Sequence, residues 1–328
     1  MSDTKLHAVT LVPGDWIGPE VAAVTQRVLA ALGVRIDWRT FECRGDEIPA
    51  GLLASARETG VVLKGKVGAQ REEGRLPATV ALRKELETWA TVRAVRALPG
   101  GVARYPATDI VVIRETSEDI YSGMEHEITE GVYEAVKVTT QMACERIARF
   151  AFEYARANGR KRITIVHKSN IMKKSDGLFL RTAQAVSRDY PDIGCDEVIV
   201  DALCMRLVRN PNQFDVLLCG NLFGDIVSDL ASGLAGGIVA GASSSVGDKV
   251  AIFENPHGKA PELVGKDAAN PLPMLRAAKH MLRHLGEEDA ATRLITAIES
   301  VVAAGIVSAD QGGHARTSEI EAAILARI

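Results

Sequence analysis

"FDVLLCGNLFGDIVSDLASG", residues 214–233, runs an apolar stretch straight into a helical pattern. "FDVLLC" is short and unbroken, the signature of a strand buried on both faces, as in a parallel sheet. The following "NLFGDIVSDLASG" reads as a helix carrying Asp225 and Asp229 four positions apart. One acid near the start of a helix gains from the helix dipole. Two acids one turn apart share a face and repel each other unless a positive group lies between them. The stretch thus fixes a strand-then-helix unit and leaves the nature of that positive group open.

The same rhythm extends along the chain. "HAVTLVPGD" (7–15) reads as a strand and turn, and "PEVAAVTQRVLAAL" (19–32) as a helix with Pro in its first turn. "DIVVIRE" (109–115), "RITIVHK" (162–168) and "EVIVDA" (197–202) are strand-like runs ending in polar residues. Helical patterns such as "CERIARFAFEYARANG" (144–159) and "GLFLRTAQAVSRDY" (177–190) separate them. That alternation predicts an α/β protein with much of its sheet parallel. Ligands of such sheets collect beyond the carboxyl ends of the strands. Arg114, Lys168, Asp201 and the Gly-Asn before Asp225 are therefore expected in one site. With no repeat, low-complexity tract or Pro/Ser linker, the domains are expected to interleave.

A chain of 328 residues, 47% of them hydrophobic, is long enough for one large or two medium domains. A net charge of −3 gives no basic field to attract nucleic acid or anionic lipid, so neither partner is expected. The apolar runs stop well short of the roughly 20 residues that a membrane helix needs. "MSDTKLHAVTLVPGD" lacks a basic-then-apolar leader. Cys43, Cys144, Cys195, Cys204 and Cys219 are scattered with no C-x-x-C spacing. Buried free thiols in the cytoplasm, and no zinc site, are the expectation.

Asp201 follows "EVIV" and opens the helix "ALCMRLV", where it would serve as an N-cap. Together with Asp225 and Asp229 it also makes a set of three carboxylates at neighbouring strand ends. Such a set, with no Cys or His nearby in sequence, suits a hard cation, Mg²⁺ or Mn²⁺. Arg83, Arg93 and Arg114 come from separate elements, and Arg114 closes a strongly apolar strand where a charge needs a partner. Arginines beside a metal make a clamp for a substrate with several carboxylates. Lys168 is a candidate proton-transfer group, and Tyr121, after the polar "ETSED", a candidate acid. No G-x-G-x-x-G follows a strand, and "GKAPELVGKD" (258–267) is too widely spaced for a phosphate loop. The long Gly- and Pro-punctuated "FENPHGKAPELVGKDAANP" (253–271) reads as a ligand loop.

These segments together resemble the isocitrate and isopropylmalate dehydrogenases, the metal-dependent β-decarboxylating dehydrogenase family. "LVPGDWIGPEV" is similar to the family's opening P-G-D-G-I-G-P-E, and "VLKGKVGAQ" to its K-G-P and cofactor loop. "LRKELETWATVR" resembles the two-arginine segment, and "RETSEDIYSG" the isocitrate branch's R-E-N-S/T-E-D-I-Y. "VHKSNIMK" matches the catalytic lysine segment, "NLFGDIVSDLASGLAGG" the metal segment, "FENPHGKAPELVGKDAANP" the adenine loop and "SADQGGHARTSE" the C-terminal motif. Each motif alone is weak, but their shared order along nearly the whole chain is specific.

The resemblance implies a long mixed sheet flanked by helices, in two interleaved domains, and not a classical Rossmann fold. It puts a large cofactor-binding domain at 1–94 plus 236–328 and a small domain at 95–235, with an arm near 121–140 that crosses to a second copy. It implies metal ligation by Asp201, Asp225 and Asp229, and carboxylate binding by Arg83, Arg93 and Arg114, with Thr79 beside them. Lys168 and Asp201 would handle the hydroxyl proton as hydride leaves for the nicotinamide, and Tyr121 would reprotonate the enol. Gly68, His257, Gly258, Ala260, Glu262 and Asn270 would hold the cofactor. Glu262 matches the acidic ribose-binding position of the NAD-using members, which implies NAD. The family works as a homodimer whose sites share residues across the subunits.

The departures are Trp16 for a glycine, Lys66 for a proline, Ala94 for a proline, Lys259 for Ser/Thr, and Gly68 where the isocitrate branch has threonine. Pro77 and Thr79 replace the Ser and Asn that bind isocitrate's third carboxylate. Lys64, Lys66, Arg71 and Arg75 read as a cationic rim there, favouring an anionic γ-group such as that of isocitrate or a phosphonate analogue. Homoisocitrate or 3-isopropylmalate as substrate, or a non-catalytic regulatory subunit, remain open alternatives.

Overall fold

The computed structural model describes residues 5–43, 47–68, 77–254, 258 and 260–328. The chain begins with β1 (Leu6–Val12), α1 (Gly18–Ala31), β2 (Arg35–Thr40), α2 (Leu52–Thr59), β3 (Val61–Lys64) and α3 (Ala78–Glu85). Next come β4 (Ala90–Arg96), β5 (Asp109–Glu115), a hairpin of β6 (Glu125–Thr129) and β7 (Val132–Ala135), α4 (Gln141–Ala157), β8 (Arg162–His167) and α5 (Ser175–Ser187). There follow β9 (Gly194–Ile199), α6 (Val200–Arg209), β10 (Val216–Cys219) and α7 (Asn221–Leu234). The last elements are β11 (Gly241–Val246), β12 (Ala251–Glu254), α8 (Leu272–His284), α9 (Glu288–Ala303) and α10 (Thr317–Leu325).

The elements divide into two compact units. Unit 1 is Met1–Thr88, Ala97–Pro106 and Ala235–Ile328, and unit 2 is Trp89–Arg96 and Ala107–Leu234. The chain thus leaves unit 1 at residue 88 instead of the expected 94. The reason is β4, which pairs antiparallel with β5 along its whole length, from Ala90 opposite Glu115 to Arg96 opposite Asp109. Residues 97–106 return to unit 1, where Leu98 is buried in the core. Arg83 therefore belongs to unit 1 and Arg93 to unit 2.

In unit 1 the strands lie in the order β2-β1-β3-β12-β11, parallel except for β11 against β12. One core joins β1 and β3 to α1, α8, α9 and α10 through residues such as Val28, Leu29, Met274, Leu282 and Ile298. Each such side chain, fully buried, contributes roughly 1.5–3 kcal/mol. A second core joins Val12, Val62 and Ile252 to Leu52 of α2 and Leu82 of α3. Strands covered on both sides need the continuous apolar runs seen in the sequence.

In unit 2 the order is β4-β5-β10-β8-β9, with β5, β10, β8 and β9 parallel. The apolar stripes of α4 and α5 bury Ile147, Phe152, Phe179 and Val186 against this sheet. Register sets Arg114 beside Cys219 and Cys219 beside Val166, so the carboxyl ends line one edge. β6 and β7 form the hairpin expected of "YSGMEHEITEGVYEAVKVTT", and every residue of the two strands is exposed. Among the described residues no helix is long and apolar enough to cross a membrane. Cys43, Cys144 and Cys219 are buried, Cys204 is half-buried and Cys195 is exposed, all as free thiols.

Candidate active site

The opening question has a structural answer within unit 2. α7 starts at Asn221, so Asp225 lies beyond the first turn, where the dipole contributes little. What faces the two acids is arginine. The Arg114 guanidinium, on the buried end of β5, forms an ion pair with Asp225. Arg93 Nη1 of β4 lies 3.2 Å from Asp229 Oδ1. Arg114 also donates through Nε at 2.9 Å and Nη2 at 2.5 Å to Asn221 Oδ1, while Asn221 Nδ2 donates to the Glu118 carbonyl at 2.9 Å. Asn221, expected at this strand end from the Gly-Asn before Asp225, is thus part of the site. Gly224 makes room for this arrangement, because a Cβ there would stand 2.7 Å from Arg114 Cβ and Cγ.

Tyr121 joins the same cluster. Its hydroxyl donates to Asp225 Oδ2 at 2.8 Å, and the Arg114 guanidinium sits 5.0 Å from its ring centre. Burial, and then the hydrogen bond to the Asp225 carboxylate, push the phenol above its ordinary value. Tyr121 is therefore a protonated phenol at neutral pH, the state an acid must start from. Lys168 and Asp201 form a separate pair. Lys168 Nζ donates to Asp201 Oδ1 at 2.7 Å, and that bond is the main cause holding the Asp201 carboxyl below its usual range. Asp201 sits in the first turn of α6 but is not its cap, which is Ile199. Asp201 is two-thirds exposed, and it forms no three-acid group with Asp225 and Asp229 within the chain. Among the described residues no three metal-ligating side chains cluster in a single copy of the chain.

Unit 1 holds the other predicted substrate residues. Register places Glu254, at the end of β12, beside Lys64, at the end of β3. Their side chains pair at 3.0 Å, and Arg83 of α3 forms a second ion pair with Glu254. Lys64 also donates to Thr79 Oγ1 at 3.3 Å. Burial alone would raise the Glu254 carboxyl, but the charges of Arg83 and Lys64 outweigh it and hold it well below the carboxylate range. The expected cationic rim is corrected at Lys64. The Lys64 side chain is 2% exposed and neutralised, Lys66 is half-buried, and Arg71 and Arg75 lie outside the described residues. Glu254 was readable in principle, since it ends an apolar strand with a charge just as Arg114 does.

Two departures from the family pattern are physically linked. Trp16 adopts φ 53°, the left-handed backbone that a glycine would take there. Its indole then fills the space beside Gly68, where a Cβ would stand 2.6 Å from Trp16 Cη2. A threonine at 68 would clash with that ring. The Gly68 N–H donates to Asp15 Oδ2 at 2.7 Å.

In the loop expected to hold the cofactor, His257 and Lys259 lie outside the described residues, and Gly258 is exposed. Ala260 adopts φ 45° and Glu262 presents an exposed carboxylate. Asn270 is buried and already engaged, donating to Asp310 at 2.9 Å and accepting from the Leu272 N–H at 3.0 Å.

These positions can be set beside known proteins. The isocitrate/isopropylmalate dehydrogenase profile matches residues 8–324. The NAD isocitrate dehydrogenase regulatory subunit 2 of Arabidopsis thaliana mitochondria is 43% identical over 99% of this chain and 91% of its own length. The catalytic subunit 5 from the same source is 42% identical over 98% of this chain and 89% of its own length. The crystal structure of isocitrate dehydrogenase from Methylococcus capsulatus superposes with a TM-score of 0.93 at 38% identity, covering 98% of this chain and 99% of that one. Sequence match over nearly the full length and the same fold agree with the motif order: the chain belongs to the isocitrate/isopropylmalate dehydrogenase family.

Proposed function

We propose that this chain oxidatively decarboxylates a 3-carboxy-2-hydroxy acid by hydride transfer to NAD, as a homodimer with shared active sites. The observation that carries the reading is the cluster in which Arg93, Arg114, Asp225, Asp229 and Tyr121 converge, together with the Lys168–Asp201 pair. In this reading Arg93, Arg114 and Arg83 take the substrate's carboxylates. The Lys168 ammonium hands its hydrogen-bonded proton to the exposed Asp201 carboxylate and takes the substrate's hydroxyl proton in its place. Tyr121, protonated at neutral pH, returns a proton to the enol carbon.

The donor set fits a divalent metal. Asp225, Asp229 and Asp201 offer oxygen alone, and their side chains are 44%, 76% and 69% exposed, which leaves room for water or substrate. Mg²⁺ or Mn²⁺ held by Asp225 and Asp229, with Asp201 supplied by the second copy, contributes Lewis-acid polarisation of the keto oxygen. The exposed β6–β7 hairpin is the proposed arm to that copy, and five free thiols suit a reducing compartment such as the cytoplasm. Exposed Glu262 supplies the acceptor that a ribose 2′-hydroxyl needs, which favours NAD over its 2′-phosphate.

For the substrate we propose isocitrate or an analogue with an anionic γ-group, such as a phosphonate. Lys64 and Arg83 together outnumber Glu254 by one positive charge, which favours an anion over an isopropyl group near Thr79. A second reading has specific support, because regulatory and catalytic relatives match almost equally well at 43% and 42%. The test is turnover of the purified chain, with metal or chelator, on isocitrate, homoisocitrate, a phosphonomethyl analogue and isopropylmalate with both nicotinamide cofactors. Metal-dependent NAD reduction with an anionic-arm substrate supports the proposal. Preference for isopropylmalate overturns the substrate, and no turnover by the chain alone points to the regulatory role.

A further inference from the structure

We infer that Lys137 is a positioning residue that holds Tyr121 and Lys168 in place together, an inference that rests on the catalytic roles proposed above. Its ammonium lies 2.7 Å from Asp176 Oδ1 and 3.6 Å from Asp119 Oδ2, between two carboxylates that are each about 5% exposed. Each carboxylate holds the backbone beside a catalytic group. Asp119 accepts from the Ile120 N–H at 2.8 Å, immediately before Tyr121, and from the Leu222 N–H at 3.1 Å, at the start of the helix that carries Asp225 and Asp229. Asp176 accepts from the Lys168 N–H at 2.6 Å. Lys137 also lies 5.1 Å from the ring centre of Phe223 on the same helix.

The backbone at Asp119 makes the bridge necessary. Its φ of 78° lies in the left-handed range that costs any residue but glycine, and such a conformation persists only when its surroundings over-determine it. Without the cation, two buried carboxylates would face each other across a small cavity that Asp119, Lys137 and Asp176 help to line. Repulsion would then move both, and with them Tyr121 and Lys168. On the shared-site dimer those two groups of one chain serve different active sites, so one lysine would support both.

The experiment compares Lys137→Met and Lys137→Arg with the wild-type chain. Hydrogen exchange at the Ile120, Leu222 and Lys168 amides is read first, since it needs no activity. Lys137→Met is expected to speed exchange at all three, with the α8–α9 amides of unit 1 unchanged. Its kcat is expected to fall on the order of 10–100-fold, the scale of misplaced catalytic groups, with KM nearly constant. Lys137→Arg, which can still bridge two carboxylates, is expected to recover most of both. Unchanged exchange at either Lys168 or Ile120 overturns the inference, as does a kcat loss that arginine leaves uncorrected. An inactive wild-type chain would count against the proposed function alone, because the exchange result stands apart from turnover.

Discussion

Glu254→Gln keeps the side chain's size and removes the carboxylate that Lys64 and Arg83 share. Lys64 lies 3.0 Å from Glu254, with its side chain 2% exposed. At that distance and an effective dielectric near 20, the gross attraction is roughly 5 kcal/mol. The hydrogen bonds from Lys64 to the Gly65 carbonyl and the Thr79 hydroxyl remain in the variant but cancel no charge. Removing one partner of a buried pair costs about 3–5 kcal/mol, and those residual bonds place the expected loss at about 3 kcal/mol. For a unit of this size that corresponds to a drop in Tm of about 6–12 °C. The sign of the pH dependence follows from Glu254, whose carboxyl is held below its ordinary range. Its contribution is fully present above the unfolded carboxylate value of about 4.3 and is lost as pH falls below that. The gap between wild type and Glu254→Gln should therefore close on acidification. Scanning calorimetry across pH checks this and resolves separate transitions if the units unfold apart. A loss under ~1 kcal/mol, or a gap that stays constant with pH, would refute the reasoning.

Asp225→Asn leaves buried Arg114 and half-buried Tyr121 without their carboxylate, so it should cost about 1–3 kcal/mol in stability as well as orders of magnitude in metal-dependent turnover. Asp229→Asn, at an exposed carboxylate, should match that turnover loss while changing stability by less than ~0.5 kcal/mol. Parallel melting and rate measurements separate the two. Gly68→Ala should cost about 1–3 kcal/mol by pressing on the Trp16 ring, and much less in a Trp16→Gly background. A double-mutant cycle of chemical denaturation that shows plain additivity would disprove the linkage.

The α/β order was legible because strands covered on both faces must be short apolar runs. "DIVVIRE" and "RITIVHK" became strands of unit 2 within a residue of the expected ends, and "FDVLLC" became one that starts two residues later, at Val216. The boundary at 94 was not legible, since what assigns β4 to unit 2 is its ladder with β5, a pairing that no local pattern announces. Paired charges were also opaque. Spacing showed that Asp225 and Asp229 share a helix face, but the answering arginines come from strands more than a hundred positions away. Lys64 misled for the same reason, because a lysine reads as solvated until its neighbour in register, Glu254, is known. Trp16 and Gly68 looked like two unrelated departures and became one when the indole was found in the space of the missing side chain.

The one-to-one pairing of Arg93 with Asp229 and Arg114 with Asp225 leaves this face of unit 2 with no net charge from those four groups. At the proposed metal site, a divalent cation arriving alone meets two arginines together with Asp225 and Asp229. A polycarboxylate arriving alone meets two aspartates together with its two arginines. Each ligand is repelled by the groups that attract the other, and both together restore the balance. Metal and substrate should therefore bind with positive coupling of about 1–3 kcal/mol, roughly 5–150-fold, and by linkage the factor is the same whichever binds first. Titration calorimetry of Mn²⁺ with and without substrate, in the absence of nucleotide so that nothing turns over, measures it directly. In Asp225→Asn the coupling should collapse while substrate binding alone strengthens, because a repelling carboxylate is gone. Mn²⁺ affinity that is tight alone and indifferent to substrate would show that the arginines do not oppose the metal, and that the pairing seen in the chain is broken before any ligand arrives.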